Sequence, residues 1–168
     1  MQQNETRAGM VLLAVSVGGG IVDDELRKQL DGLKPDDWAP AELMARFIRG
    51  IEAEDPTRVK TIGRAIMYAG KTTFLKPFMP LVPKNLLRVL DEMYRANNRG
   101  PSIAYWRAVS MEEGKAVVET TENYGEYFAE GVLNGLFRVA GAKNVAIEKR
   151  RARSRGDAAD EFVVTWED

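Results

Sequence analysis

Tyr127-Phe128-Ala129-Glu130-Gly131-Val132-Leu133-Asn134-Gly135-Leu136-Phe137, followed after a basic stretch by Phe162-Val163-Val164-Thr165-Trp166, decides how this chain folds. Around the first segment Tyr124, Phe128, Val132, Leu136 and Val139 recur at helical spacing, which predicts one amphipathic helix from about Asn123 to Ala140. Gly131 and Gly135 stand four apart on it and leave a notch where a strand or a second helix can approach. Two mid-helix glycines cost about 1 kcal/mol each in propensity, so close packing at the notch is expected to compensate. Gly141 is a natural helix stop. In the second segment Phe162, Val164 and Trp166 alternate with Glu161, Val163 and Thr165, the period of a strand with one bulky face.

Outward from this pair the pattern extends both ways. Ile103 to Ser110 and Lys115 to Thr121 read as strands joined by Met111-Glu112-Glu113-Gly114, and Val145 to Lys149 reads as the partner of the closing strand. The second half is therefore β-β-α-β-β, an antiparallel sheet packed on an amphipathic helix. Upstream, Met10 to Val17 is a strand candidate ended by Gly18-Gly19-Gly20. A buried helix over residues 8–17 stays open, because periodicity does not decide a short apolar run. Asp23 or Asp24 caps a short helix closed by Gly32, and Pro40 sits in the first turn of a helix carrying Leu43, Met44, Phe47, Ile48 and Ile51. Asp55-Pro56 opens the next helix, with Val59, Ile62 and Ile66 on one face, and Thr73 to Pro83 reads as a short helix or turn packed by Phe74 and Phe78. Pro83 opens a last helix bearing Leu86, Leu87, Leu90, Met93 and Tyr94, which Asn97-Asn98-Arg99-Gly100-Pro101 stops. The expected class is α+β: one domain over 1–168, with an N-terminal strand and a helical subregion at about 23–98 before the sheet-plus-helix subregion at about 101–168.

Composition narrows the chemistry. With 45% hydrophobic and 29% charged residues the chain can bury a core and is not disordered. Zero histidines exclude imidazole bases, Ser-His-Asp and Cys-His activation and His-ligated metal or haem. Zero cysteines exclude disulfides and thiolates. The apolar stretch from Met10 to Val22 is broken by Ser16 and three glycines and is shorter than the roughly 20 residues of a membrane span. It also lacks an Ala-x-Ala-like cleavage site, so the expectation is a cytoplasmic protein without a membrane segment or a cofactor.

Several motifs imitate functional ones. Gly70-Lys71-Thr72 resembles the end of a phosphate loop, but Ala65 stands where that loop needs glycine and a helix precedes it, so a helix terminus or turn is expected. Gly18-Gly19-Gly20 lacks the third glycine of a dinucleotide loop, with Asp23 in its place, and reads as a flexible turn. Glu122, Glu126 and Glu130 are spaced to share one helix face, either as a solvated face or as a site for a hard cation or general acid. From Lys143 to Arg155 six basic residues face only Glu148, a net +5 in a chain of net −1. If the run straddles the last turn, Lys149, Arg150, Arg151, Arg153 and Arg155 form a candidate interaction patch. It reads first as a solvated loop, then as a contact for an acidic protein. Phosphate-backbone binding comes last, because the chain as a whole is not basic and no aromatic residue interleaves the run.

The Gly131-Val132-Leu133-Asn134-Gly135-Leu136 helix, the closing Phe162-Val163-Val164-Thr165-Trp166 strand, Trp38 and Ile62-Gly63-Arg64 together resemble a family of domains of unknown function, expanded as paralogues in myxobacteria. That family is related to the vinyl-reductase-like small-molecule-binding domains and the haem nitric-oxide-binding domains. The resemblance implies a scaffold with an apolar cavity between helix and sheet. The cysteines of the vinyl-reductase-like group are replaced here by Tyr127 or Phe128 and by Asp160, and the histidine of the haem-binding group is absent, so no metal or haem follows.

Tyr105, Trp106, Tyr124, Phe128, Gly131, Gly135, Leu136, Phe162 and Trp166 are the candidate cavity residues, each equally able to be core. The leading reading is a non-catalytic sensory or adaptor domain that binds a small apolar ligand or a partner protein. A structural or interaction protein acting as a homodimer or other homo-oligomer follows, then a carboxylate-based enzyme, then a nucleic-acid binder. The small-ligand version calls for an apolar pocket of about 300 Å³.

Overall fold

The computed structural model describes residues 3–20 and 23–167, so Val22 lies outside the described residues, as does the side chain of Leu87. The predicted long helix is α6, Glu126–Val139, shorter at its start than expected because Gly125, at φ 94°, turns the chain into it. Helix α4, Pro56–Gly70, crosses it at van der Waals distance of the two backbones. A Cβ on Gly131 would lie 2.2 Å from the Lys60 carbonyl oxygen, one on Gly135 2.8 Å from that of Arg64, and one on Gly63 2.7 Å from that of Phe128. The notch is thus filled by a helix, and dispersion along the crossing offsets the poor glycine propensity.

The other face of α6 lies on a four-stranded antiparallel sheet. Its strands are β4, Trp106–Glu112, β5, Lys115–Thr120, β6, Lys143–Arg151, and β7, Asp160–Glu167, in the order β4-β5-β7-β6. The link between β4 and β5 is Glu113-Gly114, two residues rather than four, with Gly114 at φ 68° supplying the left-handed turn. Phe162, Val164 and Trp166 face inward as their alternation predicts, and the Trp166 ring meets Phe137 at 4.9 Å between centroids.

The N-terminal half departs from expectation in three places. Residues Ala8–Gly18 form helix α1, the alternative left open, and not a strand. Ala8, Val11, Ala14 and Gly18 are its buried positions, and a Cβ on Gly18 would meet the Phe47 ring at 2.6 Å, so small residues at helical spacing allow close packing on α3, Ala41–Glu54. Pro40 does not enter α3; it caps it, as the last residue of β2, Trp38–Pro40. The helical subregion also holds a small sheet, β2-β1-β3, built from β1, Glu5–Arg7, and β3, Asn98–Arg99. Strands of two or three residues carry no readable alternation, and they form because Arg7 and Arg99 enclose the Trp38 ring at 4.1 and 4.2 Å.

Helix α2, Asp24–Leu30, is capped by Asp23, and Gly18 ends α1 with Gly19 in the left-handed region at φ 73°. Gly70-Lys71-Thr72 is the end of α4 and the turn after it, followed by a 3-10 turn at Lys76–Phe78 and by α5, Pro83–Asn97. One apolar core runs from Ala8 to Trp166 through both halves. Asp55 caps α4, its Oδ1 accepting from the Thr57 and Arg58 amides at 2.9 and 3.3 Å. Asp55→Ala is expected to lower the unfolding free energy by about 1 kcal/mol, read from the urea midpoint.

Candidate functional site

At the junction of the two halves, α6 and the sheet leave a gap against α5 and α1. The core leaves an apolar cavity of about 50 Å³ there. Met93 and Tyr94 of α5, Met10 of α1, Phe74 of the turn after α4, Trp106 of β4 and Phe128, Val132 and Leu136 of α6 line it. The helix period places the last three on one stripe of α6, while Gly131 and Gly135 lie on the neighbouring stripe against α4.

One carboxyl group enters this cavity. Glu122 follows β5 in the segment before α6 and is only 3% exposed. Its Oε1 accepts from the Asn123 amide at 2.7 Å, and the Tyr124 amide and the Trp106 side chain also donate to the carboxyl. Burial nevertheless dominates and pushes its pKa up to about 7, with the amide and indole hydrogen bonds opposing the rise. Tyr94 and Tyr124, beside it, are held neutral well above the usual phenol range, first by burial and then by the nearby Glu122 charge. The Arg153 guanidinium donates to the backbone carbonyls of Thr121 at 2.9 Å and Glu122 at 3.3 Å, so the turn between β6 and β7 clamps the segment that carries the carboxyl.

Of the residues singled out by sequence, Trp106, Tyr124, Phe128 and Leu136 meet at the cavity. Tyr105 does not: its hydroxyl donates to Glu119 at 2.6 Å on the outer side of the sheet. Phe162 and Trp166 lie on the opposite side of α6, in the layer closed against the sheet, and Gly131 and Gly135 are covered by α4. The cavity therefore sits between α6 and the helices α1 and α5, not between α6 and the sheet. Met10, Phe74, Met93, Tyr94 and Glu122 are not among the cavity residues expected from sequence, because four separate segments bring them together. Only Glu122 carried a chemical signal, as the first member of the Glu122, Glu126 and Glu130 row.

The glutamate row does not act as a unit. Glu122 precedes the helix, Glu126 pairs with Lys149 at 2.6 Å, and Glu130 pairs with Lys60 at 2.8 Å. No group of three or more acidic residues able to hold a metal ion occurs among the described residues. The basic run divides likewise: Lys149 is spent on Glu126 and lies over the Tyr127 ring, Arg153 is spent on the clamp, and Arg150, Arg151 and Arg155 remain exposed on β6 and the turn. No helix among the described residues is long and apolar enough to cross a membrane.

No family model and no curated protein matches the chain. Solved structures do. An H-NOX protein from S. oneidensis in its Fe(II)NO ligation state superposes with a TM-score of 0.66 at 13% identity, over 95% of this chain and 99% of that one. A Cs H-NOX mutant carrying the unnatural amino acid 4-cyano-L-phenylalanine gives 0.68 at 14%, over 95% and 94%. An oxygen-binding H-NOX domain related to soluble guanylate cyclases gives 0.67 at 14%, over 95% and 92%. The chain has the H-NOX fold, an α+β arrangement of N-terminal helices and a C-terminal antiparallel sheet.

Proposed function

We propose that residues 1–168 act as one non-catalytic, cytoplasmic sensory domain that holds a small apolar ligand in the cavity at the junction of its halves and reports occupancy to a partner protein. A lone carboxyl buried in an apolar cavity, on a segment clamped by Arg153, carries this reading. A ligand that reshapes the Glu122 segment changes what Arg153 holds, and so biases the turn that presents Arg150, Arg151 and Arg155 to an acidic partner. The bias equals the ligand's differential affinity for the two arrangements. Kinship with the myxobacterial paralogues, suggested by residues 131–136 and 162–166, belongs to the same proposal.

Haem, which the H-NOX neighbours suggest, does not fit these residues. The chain has no histidine or cysteine, which leaves tyrosine or methionine as axial ligand. A tyrosinate is opposed by burial and by Glu122, and no Lys or Arg among the described residues lines the cavity to receive propionates. Hemin added to the purified protein is expected to give no protein-dependent Soret band.

The cavity by itself does not reach the about 300 Å³ that the small-ligand reading calls for; it exceeds the ~10–15 Å³ that a water needs and falls short of the ~150 Å³ that takes up benzene, so alone it suits only a ligand of a few heavy atoms. Xenon is the matching probe. Wild type is expected to shift the xenon NMR signal in proportion to protein concentration, and Val132→Phe, which fills the cavity, to abolish the specific part. Equal shifts for both proteins overturn the reading. The second reading, a homodimer, is favoured by the edge strand β4, on which Val109 and Met111 are 50% and 39% exposed. Native mass spectrometry separates the two, since it reports copy number and any retained molecule together.

A further inference from the structure

The cavity has a larger neighbour. A cleft of about 770 Å³ opens between the start of α1, the ends of α4 and α5, and the turn at Lys76–Phe78. Its walls are mainly apolar, with Leu12, Leu13, Pro77 and Phe78 among them. Met10, Phe74 and Asn97 border the cleft and the cavity alike. Met10 and Phe74 are only half-buried, and neither side chain can form a strong hydrogen bond that would fix it. The Phe74 ring rests on Gly70, where a Cβ would lie 2.4 Å from it, so the ring occupies space that only a glycine leaves.

We propose that the cleft and the cavity are two ends of one ligand site, divided in this structure by Phe74 and Met10. Its ligand is an elongated apolar molecule with a hydrogen-bond-donating head, an alcohol or amine, that Glu122 receives at the inner end. The proposal rests on the ligand-binding reading above and gives that site its size and chemistry. With the partition swung aside the space falls within the ~300–1,000 Å³ of small-molecule sites, which the inner cavity alone does not reach. Glu122 selects the head. Among the described residues it is the single ionisable acid or base other than tyrosine that lines the inner cavity, so no cation there receives an anion. The Asn97 and Asn98 amide groups donate to the Met93 and Tyr94 carbonyls. Arg7, at the cleft mouth, lies over Trp38 and donates to the Asp36 carbonyl at 2.7 Å, and Asp36 shares the cleft lining with it, so the one cation among the described lining residues stands beside a carboxylate that opposes an anionic head. A carboxylate keeps acceptor capacity beyond the donors that Glu122 already has.

The test is titration calorimetry with stopped-flow kinetics on the full chain, using octan-1-ol, octylammonium and octanoate as probes of equal chain length. Octylammonium and octan-1-ol are expected to bind at least about tenfold tighter than octanoate, and Glu122→Gln to bring octylammonium to within about threefold of octanoate. Phe74→Ala is expected to raise the association rate about tenfold or more. Gly70→Ala, which displaces the ring while leaving it in the protein and improving the helix, is expected to act in the same direction. Octanoate binding tightest with no response to Glu122→Gln overturns the assigned chemistry. Identical association rates in wild type, Phe74→Ala and Gly70→Ala overturn the single-site geometry. In both cases the ligand-binding reading survives if xenon still reports the cavity. Absence of binding by all three probes to wild type and Phe74→Ala, with a silent xenon signal, overturns the inference and that reading together.

Discussion

Gly131→Ala is expected to lower the unfolding free energy by about 3 kcal/mol, at the severe end of overpacking. Its Cβ would lie 2.2 Å from the Lys60 carbonyl oxygen and 2.9 Å from its carbon, and both are backbone atoms of α4. A rotamer change cannot relieve that contact. The helices cannot part locally either, because Gly63 and Gly135 make similarly close crossings on either side. The propensity gain of about 1 kcal/mol for Gly to Ala is outweighed. Gly50 is the control. It lies exposed inside α3, and a methyl placed there would meet nothing within 4 Å, so Gly50→Ala is expected to stabilise by up to about 1 kcal/mol. Urea denaturation reads both, and a cost below about 1 kcal/mol at Gly131 would show that the α4–α6 contact does not organise the core.

Glu122→Gln is expected to change how stability depends on pH more than it changes the fold. The carboxyl has an ordinary value of 4.5 unfolded and about 7 folded, so between these limits the native state holds the extra proton. Stability from this group is complete below about pH 4.5, falls as pH rises to about 7, and is flat above that. The loss is on the order of 3 kcal/mol for a shift of this size in a fully buried group. Asp160 and Glu52 are also raised by burial and add slope of the same sign, so the informative quantity is the difference between wild type and variant. Tyr94 and Tyr124 stay neutral throughout this range and contribute no slope. Parallel stability profiles from pH 5 to 8 would show that Glu122 titrates normally. An ammonium head beside Glu122 would favour its ionised form, which ties this pH dependence to the chemistry assigned to the ligand.

By itself the sequence determined the second half of this protein. The period of Tyr124, Phe128, Val132 and Leu136, the alternation of Phe162, Val164 and Trp166, and the glycine of the β4–β5 turn set helix, strands and order, because each is a local pattern repeated over many residues. It determined also that imidazole and thiolate chemistry are absent. Tertiary structure decided the rest. Residues 8–18 are helical because Phe47 and Pro35 pack where Gly18 and Gly9 leave room, and the short strands β1 to β3 exist because two arginines enclose Trp38. The cavity draws Met10, Phe74, Tyr94, Trp106 and Glu122 from five places in the chain, and no spacing rule links them. The basic run is conspicuous in sequence, yet nothing in its spacing distinguishes Arg153, which holds the Glu122 segment, from the exposed arginines around it. A charge is legible from composition, whereas its partner is set by which loops the folded core brings within hydrogen-bond reach.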